Sequence, residues 1–211
     1  MNNKLQVILL FLFIWPCAVF SQSYTVKEIK EKSSKALKSL TGKDISAACV
    51  YDSNSYYSYI TNANDTSWGI LAQDKRTKGK LLNVYTRYFL HYTYPKCAVY
   101  NTINCSIILE FDKAMSLSAM PDLSCIPYFM LKNEDCHLLS KAEAIKIAKD
   151  KYFVPSDREP NAHFWYEPKA KQFSWSIDGA YLKDTTKKNE YSTQIVTLDA
   201  ETGAVISQAK F

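Results

Sequence analysis

Glycine and histidine are scarce in this chain, which has only five and three of them among its 211 residues. So few glycines argue against a glycine-lined cofactor cradle, and neither a phosphate loop nor a dinucleotide fingerprint occurs. The nucleophile motif Gly-x-Ser-x-Gly and the zinc-protease motif His-Glu-x-x-His are also missing. We therefore predict a protein that is not an enzyme and binds no cofactor. The alternative is a small secreted hydrolase whose site is assembled only by folding.

Excess charge and close pairs of metal ligands are also lacking. The formal net charge is +5 and is spread along the chain, and no basic stripe with interleaved aromatics matches a nucleic-acid-binding motif. Cys136 and His137 are adjacent, but structural zinc sites usually combine close pairs such as Cys-x-x-Cys, which this sequence lacks. We therefore expect neither a nucleic-acid partner nor a bound metal.

Long apolar runs are absent except at the start, where residues 1–21 have the pattern of a secretory signal peptide. Lys4 supplies a positive charge, an apolar stretch broken by Pro16 follows, and Ser21 precedes a predicted cleavage at Gln22. The stretch is shorter than the roughly 20 residues that cross a bilayer as a helix. We expect a protein without a membrane span after cleavage, secreted or periplasmic in a bacterial envelope.

Cysteine usage fits an oxidising compartment of this kind. Five cysteines follow the signal peptide, so at least one thiol is left out of any intramolecular pairing. Cys49 lies in an apolar, strand-like run, Ile45–Tyr51, which predicts a buried free thiol. Four others cluster in the middle of the chain and are disulfide candidates: Cys97, Cys105, Cys125 and Cys136. The preferred pairs are the nearest neighbours, Cys97 with Cys105 or Cys125 with Cys136.

Hydrophobic periodicity predicts a helix and then a series of strands in the first part of the chain. Residues 24–40 have helical spacing, with Thr25 and Glu28 as a capping box at the start and Gly42 as the end. The following segments have period two and are rich in Tyr, Ile, Val, Thr and Phe, as strands are. The predicted strands are 47–51, 56–60, 67–72, 81–94, 98–111 and a short one near 115–119.

The second part repeats the order of helix and strands. Ser140 and Glu143 form another capping box, which opens a helix over 141–152. Apolar and polar residues alternate around Phe173 and Trp175, which we expect to pack against that helix. The predicted strands are 162–168, 171–178, 191–198 and 204–210.

This second part, about 138–211, resembles the PepSY domain family. The resemblance rests on the capping box at Ser140 and on the sequence Asp-x-x-Thr-Gly, with Asp199, Thr202 and Gly203, between the last two strands. It implies a helix packed on an antiparallel sheet in a secreted protein. It also implies a role in binding or inhibiting proteases rather than in catalysis.

The first part shows a fainter form of the same pattern, because Asp112, like Asp199, ends an apolar strand and precedes a short loop. We therefore expect an α+β fold of two helix-plus-antiparallel-sheet units, 22–136 and 137–211, with the first enlarged. A single larger sheet domain is the alternative.

Aromatic residues give the strongest indication of function. Both faces of the predicted strand 81–94 carry them, although a single face would suffice for a core. Tyrosine and tryptophan are favoured at interfaces, and packing within sheet cores is the competing explanation. We expect Tyr85, Phe89 and Trp165 to lie on contact surfaces, with a secreted or envelope protein or peptide as the partner.

Overall fold

The computed structural model describes residues 23–154, 159–182 and 191–211, so the predicted signal peptide and its cleavage site lie outside the described residues. Within these ranges the chain forms three helices and two antiparallel sheets, which confirms the α+β class. None of the described helices combines the length and the apolar character that a bilayer crossing requires.

Helix α1, Val26–Ala47, begins where the capping box predicted. The Glu28 backbone N–H donates to the Thr25 hydroxyl, and the Glu28 carboxylate accepts the Thr25 N–H. The prediction that the helix ends at Gly42 was wrong. Gly42 interrupts the helical backbone at φ 81°, but helical turns resume and continue to Ala47. The run around Ile45 was misassigned as a strand because a short buried apolar run looks the same in either structure.

The first sheet contains β1 (Cys49–Tyr51), β2 (Tyr56–Ile60), β3 (Thr66–Ile70), β4 (Lys80–Thr93) and β5 (Thr102–Phe111). β4 is its centre, since β5 pairs along one side while β2 and β1 pair with successive parts of the other. β3 pairs with the far side of β2. The strand expected near 115–119 is reduced to one bridge between Phe111 and Leu117.

A connecting segment leads from the first sheet to the second and includes α2, Tyr128–Lys132. Sequence reasoning missed this helix because five residues are too few to show helical periodicity. Pro127 precedes it, and Asn133, in the left-handed conformation at φ 58°, ends it. Phe129 of α2 lies between the two sheets, with ring centroids 5.8 Å from Tyr94 and 5.7 Å from Phe173.

Two disulfides fasten the connecting segment, Cys97–Cys136 and Cys105–Cys125. At least one bridge among these four cysteines was expected, and that expectation is confirmed. The preferred nearest-neighbour pairs were wrong. Cys97 lies beyond the end of β4. The register of the β4–β5 hairpin places Cys105 opposite Leu90, farther back along β4, so the two cysteines are separated by the extended strand. Both bridges are compatible with an extracellular or periplasmic location.

The second sheet follows α3 (Lys141–Lys151) and has the order β6 (Asn161–Glu167), β7 (Gln172–Leu182), β8 (Tyr191–Asp199) and β9 (Val205–Lys210). Of the two residues of α3 that we expected in the core, Ala148 is buried with Phe173 and Trp175 of β7, as predicted. Ile145 is only partly buried, and Ala144 is the second buried residue of the helix.

Asp112 and Asp199 close similar turns at the ends of β5 and β8. In each turn one carboxylate oxygen accepts two loop N–H groups. In each, a residue with positive φ, Met115 at 60° or Gly203 at 72°, donates its N–H to the carbonyl of the aspartate. A capped helix, antiparallel strands and an aspartate-closed turn thus follow one another twice along the chain.

Candidate binding face

Strand β4 has aromatic side chains on both sides, and the two sides lie in opposite environments. Ser33 Oγ of α1 is 2.6 Å from the Tyr88 hydroxyl, so the helix lies on the side to which Tyr88 points. That side is buried: Val84, Thr86, Tyr88 and Leu90. Tyr85, Arg87 and Phe89 alternate with these residues and point away from α1, where Phe89 is exposed.

We call this outward side of the first sheet the open face. Its members include Val50, Tyr56, Trp68, Ile70, Tyr85, Arg87, Phe89, Ser106, Ile108 and Glu110. Among the described residues eleven large hydrophobic side chains are exposed, and six of them lie here. They are Val50, Tyr56, Trp68, Ile70, Phe89 and Ile108. A contiguous apolar patch of this kind marks an interaction surface rather than an ordinary scatter of exposed residues.

An aromatic cluster forms one end of the open face. The Tyr56 ring centroid lies 4.8 Å from that of Tyr85 and 5.5 Å from that of Trp68. The sheet register produces this cluster, because Tyr56 pairs with Tyr85 across β2 and β4. On the inner side of β3 the Tyr57 ring packs over Gly69, where an added Cβ would lie 2.4 Å from Tyr57 Cζ. Trp68, beside Gly69, is 59% exposed on the outer side.

The other end of the open face is more aliphatic. Val50 of β1 pairs with Phe89, and Ile108 of β5 pairs with Arg87. The Arg87 guanidinium carbon lies 5.4 Å from the centre of the Phe89 ring, a cation–π distance. Arg87 therefore covers part of the Phe89 ring.

The charged groups at the open face have partners within the chain. Arg87 forms an ion pair with Asp52, which is 5% exposed. The Asn54 backbone N–H and the Arg87 guanidinium both stabilise the carboxylate and lower the pKa of Asp52. On β5, Glu110 accepts a hydrogen bond of 3.3 Å from the Tyr85 hydroxyl. A molecule docking here meets apolar surface, the Asp52–Arg87 ion pair and the hydrogen-bonded Glu110 carboxylate at the β5 edge.

Acid is expected to weaken the ion pair between Asp52 and Arg87. Because the pKa of Asp52 is lowered by folding, its stabilising contribution is present above the unfolded pKa of about 4 and is lost as pH falls through the folded value. The free energy of unfolding of Asp52→Asn, measured by urea titration between pH 2 and 7, should therefore decrease less towards acid pH than that of the wild type. Asp65→Asn, at an exposed turn, should match the wild type. Equal acid dependence in both variants would contradict this assignment.

Trp165 does not belong to the open face. It lies on β6 of the second sheet, where it pairs with Ser174, and is 39% exposed. Of the three aromatic candidates, the structure brings Tyr85 and Phe89 onto one face and leaves Trp165 elsewhere.

Sequence reasoning missed Trp68, Ile70 and Val50 as members of this surface. For the first two a signal existed, since Trp68 and Ile70 alternate with Gly69 in a short period-two segment. In such a strand glycine lies on the side that packs against the core, under the Tyr57 ring. The large apolar side chains therefore point to the opposite side, where they are exposed. β1 is only three residues long, so Val50 had no comparable signal.

The free thiol of Cys49 lies away from the open face, in a pocket of about 300 Å³ between α1 and the first sheet. The predicted free state agrees with the described cysteines, although Cys49 is half-buried rather than buried. Burial raises the pKa of its thiol to about 11. Cys49 is therefore a protonated thiol at neutral pH and a poor nucleophile.

Comparison with known proteins supplies no relative for this fold. The chain matches no protein-family model, no curated protein and no solved structure. In the described part of the chain no three His, Cys, Asp or Glu side chains are grouped so as to hold a metal ion. The open face is therefore the feature from which a function is best inferred.

Proposed function

We propose that this protein is a secreted or periplasmic binding module that associates non-covalently with a protein or peptide through the open face and catalyses no reaction. The observation that carries the proposal is the group of six large apolar side chains exposed on one side of a sheet whose other side is packed. Burial of such surface is favourable by roughly 25 cal/mol per Å².

The composition of the open face supports binding. Tryptophan, tyrosine and arginine are the residues most enriched among those that dominate binding energy at interfaces. Here Trp68, Tyr56 and Tyr85 are in mutual ring contact, and Arg87 is held by Asp52. Side chains that are already ordered lose less conformational entropy when a partner docks. Because Asp52 neutralises Arg87 within the chain, the surface of the partner that meets these side chains is apolar rather than acidic.

The location and the PepSY resemblance narrow the class of partner. The signal-peptide pattern and two disulfides favour an oxidising compartment, where the partners are exported proteins. The resemblance of residues 138–211 implies proteases as partners. The repeated order of capped helix, strands and aspartate-closed turn supports a tandem PepSY-like arrangement. We therefore propose an envelope or secreted protein, with an exported protease as the first class to examine.

The proposal predicts that immobilised protein with intact disulfides captures a partner from the envelope and secreted fraction of its own cell. Trp68→Ala should reduce the captured amount at limiting bait about fivefold or more, equivalent to about 1 kcal/mol. Trp165→Ala is the matched control, since it removes an exposed tryptophan from the other sheet. Its capture should stay within about twofold of the wild type.

Two results would contradict the proposal. One is equal capture by the wild type and Trp68→Ala, which would place the contact elsewhere. The other is reproducible hydrolysis by the purified protein that is lost on changing one Asp, Glu or His, because it would establish the hydrolase alternative.

A further inference from the structure

The open face also fits a second copy of the same chain. We propose that two copies pack their open faces against each other as a homodimer whenever no other partner occupies the face. The inference rests on the proposed function, because it names an occupant of the same surface. It adds a form of regulation: another partner must compete with the second copy.

The area of the open face is sufficient for a stable dimer. Strands lie about 4.8 Å apart, so the face is roughly 20 Å wide beside Lys80–Tyr85, where it has four strands, and roughly 15 Å wide beside Tyr88–Leu90, where it has three. With lengths of roughly 18 Å and 10 Å for these two parts, each copy contributes a footprint of roughly 500 Å², so that two copies bury about 1,000 Å², the lower limit of specific interfaces. Sheets stack face to face in proteins at about 10 Å separation.

The charge distribution also favours a second copy. A surface with unpaired charge of one sign would repel its own copy, but here Asp52 neutralises Arg87 within each chain. Glu110 lies at the β5 edge and is bonded to the Tyr85 hydroxyl. Each copy therefore brings a neutralised Asp52–Arg87 pair to the contact, while the Glu110 carboxylate stays at its rim. Because the contact uses the same patch on both copies, it closes at two and does not propagate into a filament.

Two matched isoleucines provide the test. Ile108 on β5 is 51% exposed within the open face, and Ile206 on β9 is 44% exposed outside it. Ile108→Glu places a carboxylate opposite Arg87 of the same chain, so the monomer tolerates it while the dimer must bury an added charge. Ile206→Glu makes the same chemical change on the second sheet.

Sedimentation equilibrium of the purified protein with both disulfides intact measures the dimer dissociation constant. We expect a dimer for the wild type at low micromolar concentration, a dissociation constant at least about tenfold higher for Ile108→Glu, and a change within about twofold for Ile206→Glu. A wild type that stays monomeric up to about 100 µM, more than tenfold above a low-micromolar dissociation constant, would overturn the homodimer. Equal weakening by both variants would also overturn it.

Failure of the homodimer is distinguishable from failure of the proposed function. If the protein is monomeric but still captures a partner, and Trp68→Ala reduces that capture, the homodimer is rejected and the binding role of the open face is retained. A dimer sensitive to Ile108→Glu, together with no capture of any other protein or peptide, supports the homodimer and rejects the wider binding role.

Discussion

Trp175→Ala is expected to lower the free energy of unfolding by about 3–5 kcal/mol, the range for removal of a large buried side chain. Trp175 is 5% exposed, and its ring centroid lies 4.9 Å from that of Phe164. Its indole N–H donates to the Leu139 carbonyl at 2.9 Å, which ties β7 to the residues that precede α3. The substitution therefore leaves both a cavity and an unpaired carbonyl.

Urea titration followed by far-ultraviolet circular dichroism measures the effect without relying on tryptophan fluorescence. Trp165→Ala, in the neighbouring strand but 39% exposed, is the control and should cost about 1 kcal/mol or less. A loss below about 1 kcal/mol for Trp175→Ala would mean that helix α3 does not cover this side of the second sheet.

Removal of the Cys97–Cys136 disulfide, by changing both residues to Ala, is expected to cost about 4 kcal/mol. The bridge spans 39 residues, and closing a loop of that length restricts the unfolded chain. The Cys105–Cys125 bridge spans 20 residues and by the same reasoning contributes about 3 kcal/mol. Chemical unfolding of the two double variants compares the two contributions.

Intact mass after alkylation gives an independent check on the bridges. Denatured but unreduced protein from which residues 1–21 have been removed should have one modified thiol, at Cys49, and reduced protein should have five. Five modified thiols before reduction would exclude both bridges.

Local features of the fold were predictable from the sequence. Both capping boxes were recognised because each needs only two residues three positions apart. The strands of the second sheet were recognised because alternation around Trp175 reports one buried side. The α+β class follows from these elements and is confirmed.

Features that depend on which strands are neighbours were not predictable. The disulfide pairing follows from the β4–β5 register, which places Cys105 beside Leu90 rather than near Cys97. The separation of Trp165 from Tyr85 and Phe89 follows from the division into two sheets. Alternation in β4 indicated two aromatic sides, but the exposed side was decided by where α1 packs, a long-range contact through Ser33 and Tyr88.

The measurement that tests the central claim most directly compares binding with stability in the same variants, Trp68→Ala and Phe89→Ala. For each we would determine the dissociation constant for the captured partner by calorimetry and the free energy of unfolding by urea titration. If the open face is a binding surface, binding weakens by more than about 1 kcal/mol while unfolding changes by less than that. Unfolding that falls by several kcal/mol with unchanged affinity in the folded fraction would show these residues to be core, and would contradict the account.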